Sequence, residues 1–360
     1  MMSVTRLNYP ASAVHFLGKE RQEADSKNTS RVDTDLLRRL YLGATRIKYP
    51  TITMDEFDRL NPMEGERFQF RNSAGTKLQG YLYPLPDKRE TNKVIVLGHG
   101  FSAHSGMMAP LVPLFHELGY HVFLFDFNTH GKSDGRKTSI GYHEGDDVAS
   151  AMLEMRHKYG DQIRLSYLGH SMGGAAFLYM PGKIKGKSDD LKWIAGHLDK
   201  VALDSTYDVI NPSQESRLQD LTKNLPTWLK DYLMGRVKAF EESSQETMKL
   251  PAPINKLHPI NEFVKAGQLF KNLNILLLHG TADQRASYSA AITIRDMLAQ
   301  HDYNVRLAPL EGAGHYREYE QPNPKDKDKP LKLKTVLRDE AHKQELRNFF
   351  ADPPVARQSS

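Results

Sequence analysis

Six short, largely apolar runs, separated by segments of helical length, constrain the fold of this chain more than any other feature. They span residues 94–97, 122–125, 163–168, 201–203, 275–278 and 305–310. Strands that are buried on both faces of a parallel sheet have this composition, whereas half-exposed strands alternate apolar and polar residues. Because strand-like and helix-like segments alternate, the sequence predicts a doubly wound α/β domain with a mostly parallel, twisted sheet and helices on both faces.

Periodicity defines the elements around these runs. Residues 107–118, 142–159 and 286–300 carry apolar side chains at helical spacing, and we expect a last helix over residues 334–350. Residues 68–70 and 78–83 alternate with period two around a turn at residues 72–75. This pattern predicts an antiparallel β-hairpin ahead of the parallel strands.

The domain organisation follows from where these patterns begin and end. Residues 1–65 are polar and irregular, apart from a helix-like piece at residues 34–42, and we interpret them as an N-terminal extension. The main domain spans residues 66–350, and residues 351–360 form a polar tail that we expect to be disordered. Residues 206–271 contain no run of strand type, which predicts a helical cap inserted above the carboxyl edge of the sheet.

One segment of the cap has an apolar face. At helical spacing, one side of residues 226–240 carries Trp228, Leu229, Tyr232, Leu233, Val237 and Phe240. Such a helix could be a lid that lines an acyl pocket or touches a membrane surface. It could equally pack onto the domain as ordinary core, and the sequence leaves both interpretations open.

Composition excludes several classes of function. The chain has 360 residues and no cysteine, which rules out a disulfide scaffold, a thiol nucleophile and a thiolate metal site. Its 49 Lys and Arg against 44 Asp and Glu give a net charge of +5. These basic residues are scattered, except at residues 183–187 and 325–334, and no nucleic-acid module accompanies them, so no nucleic-acid partner is expected.

Neither a metal nor a membrane anchor is indicated. His104, His130, His143 and His157 have no carboxylate pattern typical of a metal site, so no metal and no cofactor are predicted. No apolar run approaches the roughly 18 residues of a membrane span. The first residues lack the apolar stretch of a secretory signal, so a cytoplasmic protein is expected.

The strongest chemical signal is Gly169-His170-Ser171-Met172-Gly173, which follows one apolar run and precedes a small-residue segment of helical character. A serine on a sharp strand-to-helix turn projects its hydroxyl into the cleft, and glycines flank it where a Cβ would clash. This context favours Ser171 as a nucleophile over a merely structural turn.

A serine nucleophile needs a base, and the base needs an orienting acid, in the chain order Ser, acid, His for this architecture. Asp283 follows one strand-like run and His315 lies on a glycine-rich loop after the next, so we predict them as acid and base. Asp283 could instead be only a helix cap, and Asp204, after another run, is the rival acid.

Acyl transfer also needs donors for the developing oxyanion. The N–H groups of Met172 and of Phe101, in the loop Gly98-His99-Gly100-Phe101-Ser102, are predicted to form this hole, although the loop could be an ordinary glycine-rich turn. The residues expected to bind substrate are His99, Gly100, His170, Trp228 and Tyr232.

Together these motifs resemble an α/β-hydrolase of the monoglyceride lipase and lysophospholipase-like group, often labelled serine aminopeptidase-like (S33). The resemblance extends over about residues 67–350 and implies the α/β-hydrolase fold. It rests on the motifs His99-Gly100-Phe101, residues 169–174, His279-Gly280-x-x-Asp283 and Gly314-His315. One motif departs from the group, because Asn128-Thr129-His130-Gly131 stands where Arg-Gly-His-Gly is usual, so the arginine's contacts must be replaced or lost.

The hypothesis that follows is two-step ester hydrolysis through an acyl-enzyme on Ser171. The resemblance and the apolar cap imply a small-molecule acyl ester, such as a monoacylglycerol or a lysophospholipid, with transient contact to a membrane surface and no obligate protein partner. A thioesterase, an acyltransferase or a serine peptidase would use the same residues. The alternatives outside enzymes are a non-catalytic binding module and a peripheral membrane adaptor.

Overall fold

The structure is a computed structural model that describes residues 51–61, 63–86, 91–135, 137–184, 188–210, 224–321 and 331–352. The helix-like piece expected at residues 34–42, the C-terminal tail beyond residue 352 and part of the predicted cap, residues 211–223, lie outside the described residues.

The six apolar runs of the sequence are all strands, β3 to β8. A hairpin precedes them and a second hairpin follows them. The strands are β1 (Glu66–Arg71), β2 (Lys77–Tyr83), β3 (Lys93–Gly98), β4 (His121–Phe125), β5 (Arg164–His170), β6 (Leu198–Asp204), β7 (Asn274–Gly280), β8 (Asn304–Leu310), β9 (Arg317–Gln321) and β10 (Leu331–Thr335).

Nine α-helices lie in the described residues. They are α1 (Met54–Leu60), α2 (Val112–Glu117), α3 (Glu144–Tyr159), α4 (Met172–Lys183), α5 (Ser188–His197), α6 (Thr227–Met248), α7 (Pro259–Val264), α8 (Tyr288–Gln300) and α9 (Glu340–Phe350). Helices α2, α3, α8 and α9 overlap the segments that the periodicity predicts.

Among the described residues, eight strands form one sheet in the order β1-β2-β4-β3-β5-β6-β7-β8. The strands β1, β2 and β4 pair antiparallel, and all pairs from β4 through β3 to β8 are parallel. The predicted α/β architecture with its N-terminal antiparallel hairpin is therefore confirmed.

Both faces of this sheet are buried. Val96 and Phe123 pack into one core with side chains of α3, α4 and α8, whereas Leu97 and Leu124 pack into a second core with side chains of α1, α2 and α9. Adjacent residues of a strand point to opposite faces, so a strand enclosed between two helical layers must be apolar at every position. This is why β3 and β4 are continuous apolar runs.

Three predicted boundaries differ from the structure. The helix expected over residues 107–118 begins only at Val112, after two short 3-10 turns. Helix α1 precedes the predicted domain start at residue 66, yet Phe57 is buried and its ring packs edge-on against Tyr83 at 5.7 Å. The last helix begins at Glu340 rather than at residue 334, because Asp339 caps it by accepting a hydrogen bond from the His342 N–H. Residues 331–335 alternate in polarity and pair with β9 instead.

The described part of the cap is helical. Helix α7 packs onto α4, and the Phe263 and Phe177 rings lie 5.5 Å apart. Helix α6 is 22 residues long, and Val237 on it is buried while Trp228 and Tyr232 are exposed. No helix in the described ranges combines the length and the apolar character needed to cross a bilayer.

The sheet topology determines where function can reside. Because β3, β5, β6, β7 and β8 are parallel neighbours, the loops that follow them all lie at one edge of the sheet. These loops carry Phe101, Ser171, Asp283 and His315, and Asp204 is the last residue of β6 at the same edge.

Candidate active site

Ser171 lies on a strained turn between β5 and α4. Its backbone has φ 52° and ψ −113°, a conformation that side-chain-bearing residues rarely adopt. The Ser171 N–H donates to the Asp204 carbonyl at 2.8 Å, and its own carbonyl accepts from the Ala175 N–H at 3.1 Å. The turn expected from the sequence is therefore present.

The glycines of the motif are required by close contacts. A Cβ on Gly169 would lie 2.6 Å from the Gly173 carbonyl carbon, and a Cβ on Gly173 would lie 2.3 Å from the Gly98 carbonyl oxygen. Real Cβ atoms do not approach backbone this closely, so the turn can only pack against the end of β3 when both positions are glycine.

The Asp283 and His315 side chains are in direct contact. The His315 Nδ1 lies 2.7 Å from the Asp283 Oδ2, and the Asp283 carboxylate is fully buried. Its Oδ1 accepts from the N–H groups of Arg285 and Ala286 at 2.8 and 3.0 Å. Burial alone would raise the pKa of Asp283, but His315 and these two donors outweigh it and hold the pKa at about 2. The carboxylate is therefore ionised at neutral pH and oriented towards the imidazole.

The Asp283–His315 pair lies beside the strained turn. The His315 ring is 4.8 Å from the ring of His170, the residue that precedes Ser171. Among the described residues the Ser171 hydroxyl makes no hydrogen bond, to His315 or to any other group. Hydrogen bonds to a nucleophile are often long in unliganded enzymes and shorten when substrate binds.

Asp204, the rival acid, has a different partner. Its two carboxylate oxygens accept from the Arg338 guanidinium at 3.0 and 2.7 Å, in a fully buried pair. The geometry therefore assigns the orienting contact with His315 to Asp283.

The two N–H groups predicted for the oxyanion hole lie on either side of the turn. Met172 is the first residue of α4, where N–H groups have no acceptor within the helix. Phe101 follows Gly100, whose Cβ, if it had one, would lie 3.4 Å from the Ser171 Cβ. The loop after β3 thus approaches Ser171 closely, and the oxyanion role of both N–H groups stays a prediction.

The rings of His99 and His170 are both buried next to this turn, and the expectation that they bind substrate stays a prediction. The His99 ring is fully buried, with Nδ1 at 2.8 Å from the Gly100 carbonyl and Nε2 accepting from the Phe127 N–H at 3.0 Å. Burial holds the pKa of His99 well below its usual value, and lowers that of His170 to about 4. Through these two contacts the His99 ring connects the loop after β3 to the loop after β4.

The other predicted substrate contacts have different surroundings. Gly100 faces the strained turn at Ser171, and the His170 ring lies 3.1 Å from the position that a Gly100 Cβ would take. Trp228 and Tyr232 are 65% and 41% exposed on α6. Their part in substrate binding stays a prediction.

Local hydrogen bonds at Asn128 compensate for the absence of the arginine that is usual at this position. The Asn128 N–H donates to Asp147 at 2.9 Å, and its side-chain amide donates to Glu144 at 3.3 Å. Glu144 also accepts from Thr138 and from Ser139, at the start of α3. The amide therefore anchors the loop after β4 to α3, without the usual arginine.

Sequence reasoning missed Arg338, which contacts the backbone of the His315 loop. No local pattern distinguishes this arginine, because its carboxylate partner lies 134 residues earlier. Across the described ranges, no group of three or more His, Asp or Glu side chains is arranged to hold a metal ion.

Comparison with known proteins shows which part of this chain matches a family model. Residues 89–195 match the family described as "Serine aminopeptidase, S33". The protein YfhR of Escherichia coli (strain K12), named as uncharacterized, is 31% identical over 150 residues, which cover 41% of this chain and 49% of YfhR. The uncharacterized protein YqkD of Bacillus subtilis (strain 168) is 28% identical over 128 residues, covering 36% and 41%. The chain thus spans less than half the length of these relatives.

A similar fold occurs in the esterase Pf2001 of Pyrococcus furiosus. Its structure superimposes with a TM-score of 0.55 at 19% identity, covering 75% of this chain and 91% of Pf2001. The chain has the α/β-hydrolase fold. Within that fold, residues 89–195 carry the serine aminopeptidase-like pattern, which confirms the resemblance inferred from the motifs.

Proposed function

We propose that this chain is a serine hydrolase that cleaves carboxylic esters through an acyl-enzyme on Ser171. The observation that carries the proposal is the 2.7 Å contact between buried Asp283 and His315, beside the strained turn that presents Ser171. A buried acid that orients an imidazole next to a serine is the arrangement by which hydroxyl groups are activated for acyl transfer.

In the first step His315 Nε2 takes the Ser171 proton as the hydroxyl oxygen attacks the ester carbonyl. Asp283, ionised because its pKa is about 2, stabilises the imidazolium that forms. The N–H groups of Phe101 and Met172 hold the oxyanion, and each such donor is worth about 3 kcal/mol of barrier. The imidazolium then protonates the leaving alcohol, and the acyl group remains on Ser171.

In the second step a water molecule gives a proton to His315 and attacks the acyl-enzyme. The tetrahedral intermediate collapses, His315 returns the proton to Ser171, and the carboxylic acid leaves. Every proton passes through one imidazole, so the geometry of His315 governs both steps.

The substrate class we propose is an ester of a medium or long acyl chain, such as a monoacylglycerol or a lysophospholipid. Trp228 and Tyr232 support it, because exposed aromatic side chains on one amphipathic helix suit contact with acyl chains or with a membrane surface. Co-sedimentation with phosphatidylcholine vesicles, comparing wild type with Trp228→Ala/Tyr232→Ala, tests the surface contact.

A panel of p-nitrophenyl esters from C2 to C16, assayed on wild type and Ser171→Ala, tests the reaction. We expect hydrolysis by wild type only, with longer chains preferred, and labelling of wild type alone by a fluorophosphonate probe. Undiminished labelling of Ser171→Ala would refute the nucleophile. A preference for C2 would refute the lipid substrate and leave the hydrolase intact.

A peptidase is the second candidate, because the matched family is described as a serine aminopeptidase. The same residues would attack an amide, with the amine in place of the alcohol as leaving group. Amino-acid p-nitroanilides distinguish the two: an aminopeptidase releases p-nitroaniline from them, whereas an esterase of this type leaves them intact.

A further inference from the structure

Arg338 is a buried arginine whose guanidinium joins two loops of the candidate site. It lies between β10 and α9, and its side chain is 4% exposed. All three guanidinium nitrogens donate hydrogen bonds. A planar guanidinium with every nitrogen engaged has one allowed orientation, so its partners are fixed relative to one another.

Two of its partners are backbone carbonyls of the loop that carries the base. Nε donates to the Gly314 carbonyl at 2.9 Å, and Nη2 donates to the His315 carbonyl at 2.8 Å. This loop contains two glycines, and Gly312 has φ 68°. Glycine leaves a backbone free to take many conformations, so the loop needs an external contact to hold the imidazole in one position.

Of the other partners, Asp204 connects Arg338 to Ser171, and the Ser205 hydroxyl accepts from Nη2 at 2.6 Å. Nη1 and Nη2 donate to the Asp204 carboxylate at 3.0 and 2.7 Å, and the Asp204 backbone carbonyl accepts from the Ser171 N–H at 2.8 Å. Burial would raise the pKa of Asp204, but the Arg338 charge and nearby His170 outweigh it, so the pKa lies well below its usual value. An unbroken chain of hydrogen bonds therefore runs from Ser171 through Asp204 and Arg338 to His315.

We propose that Asp204 and Arg338 are a pair of positioning residues that hold the base at a fixed place relative to the nucleophile. The inference rests on the proposed function, since it assigns His315 as the base. The inference goes beyond the proposed function by giving Asp204 a role. Together with Arg338, Asp204 fixes the backbone of both reacting residues. The guanidinium N–H donors need acceptors when they are buried, and here two of those acceptors are carbonyls of the His315 loop.

Three variants test the pair. Arg338→Met combined with Asp204→Asn removes both charges together, because removing one alone leaves an unpaired buried charge that endangers folding. Arg338→Lys keeps the positive charge and loses the planar guanidinium whose N–H groups reach both carbonyls. Arg347→Lys is the matched control, an arginine on α9 that is half exposed and pairs with Glu117 at 3.2 Å.

We expect kcat of the double variant to fall about 100-fold, the loss typical of a misplacement near 1 Å, with KM changed less than threefold. Arg338→Lys should show an intermediate loss, and Arg347→Lys none. In proton NMR spectra, the downfield signal of the His315 Nδ1–H should broaden or move upfield in the double variant. Asp283→Asn, which abolishes that signal, assigns it.

A folded double variant that keeps wild-type kcat and the wild-type Nδ1–H signal would overturn the proposal. Equal losses in Arg338→Met/Asp204→Asn and Arg347→Lys would overturn it as well, because they would show a general effect on α9. If wild type hydrolyses no ester and resists fluorophosphonate, the proposed function fails. The Nδ1–H signal still tests the pair in that case, because it reports on the Asp283–His315 contact without turnover.

Discussion

Replacing Ser171 by glycine should stabilise the protein while abolishing its reactivity. Ser171 has φ 52° and ψ −113°, and a non-glycine residue held in a sparsely populated region costs about 1–3 kcal/mol. Glycine adopts this conformation without that cost, but it loses about 0.5–1 kcal/mol more backbone entropy on folding. The difference predicts that the free energy of unfolding rises by about 1 kcal/mol, within a range of about 0–2.5 kcal/mol.

Ser171→Ala is the matched control for this change. It keeps the Cβ, and therefore the strain, and it removes a hydroxyl that makes no hydrogen bond among the described residues. We expect its free energy of unfolding to lie within about 0.5 kcal/mol of wild type. Both variants lack the Ser171 hydroxyl, so the difference between them isolates the backbone contribution of residue 171 to the free energy of unfolding.

Urea denaturation at pH 8 measures the effect, read from the midpoint at an unchanged m-value. In thermal unfolding 1 kcal/mol corresponds to about 2–4 °C for a domain of 150–250 residues, so the glycine variant should melt a few degrees higher. Neither variant should react with a fluorophosphonate. A glycine variant less stable than the alanine variant would show that residue 171 carries no strain, and the reasoning would be wrong.

Three further predictions follow from the site. Asp283→Asn should lower kcat about 10⁴-fold with little change in KM, because the amide cannot stabilise the His315 imidazolium; steady-state ester hydrolysis measures this. Gly173→Ala should lower the free energy of unfolding by about 1–3 kcal/mol in urea, since its Cβ would lie 2.3 Å from the Gly98 carbonyl oxygen. The protein should also lose stability in mild acid. Burial depresses the pKa of His170 and of His342 to about 4. Both therefore contribute stability above pH 6.5 that is lost as the pH falls towards 4. At pH 5 each should lower the free energy of unfolding by about 2 kcal/mol relative to pH 8, as urea titrations at the two values would show.

Each of these predictions has a contradicting result. If kcat of Asp283→Asn fell by less than tenfold, Asp283 would not be the residue that orients His315. Gly235→Ala is the control for Gly173→Ala, because no described atom outside the surrounding helix lies within 4 Å of a Cβ there. Equal stability of the two variants would contradict the packing argument. Equal stability at pH 5 and pH 8 would show that His170 and His342 are not buried neutral groups.

Much of the fold could be predicted because it depends on local patterns of apolar and polar residues. The six apolar runs are strands β3 to β8, since a strand buried on both faces must be apolar throughout. The hairpin of β9 and β10 was missed, and the last helix was predicted six residues too early. Residues 331–335 alternate in polarity over only five positions, too few to distinguish a strand from the start of a helix.

In the site, the turn at Ser171 could be predicted because its requirements are local. The glycines at 169 and 173 lie two residues from the serine, and each is needed at a contact closer than any side chain allows. The burial of His99 could not be predicted, because Phe127, which donates to its ring, comes from the loop after another strand.

The sequence by itself determined strands β1 to β8, the strained turn at Ser171 and the set of acids and histidines available near it. The tertiary structure placed Asp283 against His315 and Asp204 against Arg338, and it brought Arg338 to the loop of His315. The reason is physical: periodicity and turn geometry depend on neighbours within a few residues. A hydrogen bond between side chains more than a hundred residues apart depends instead on the order in which the strands assemble into the sheet.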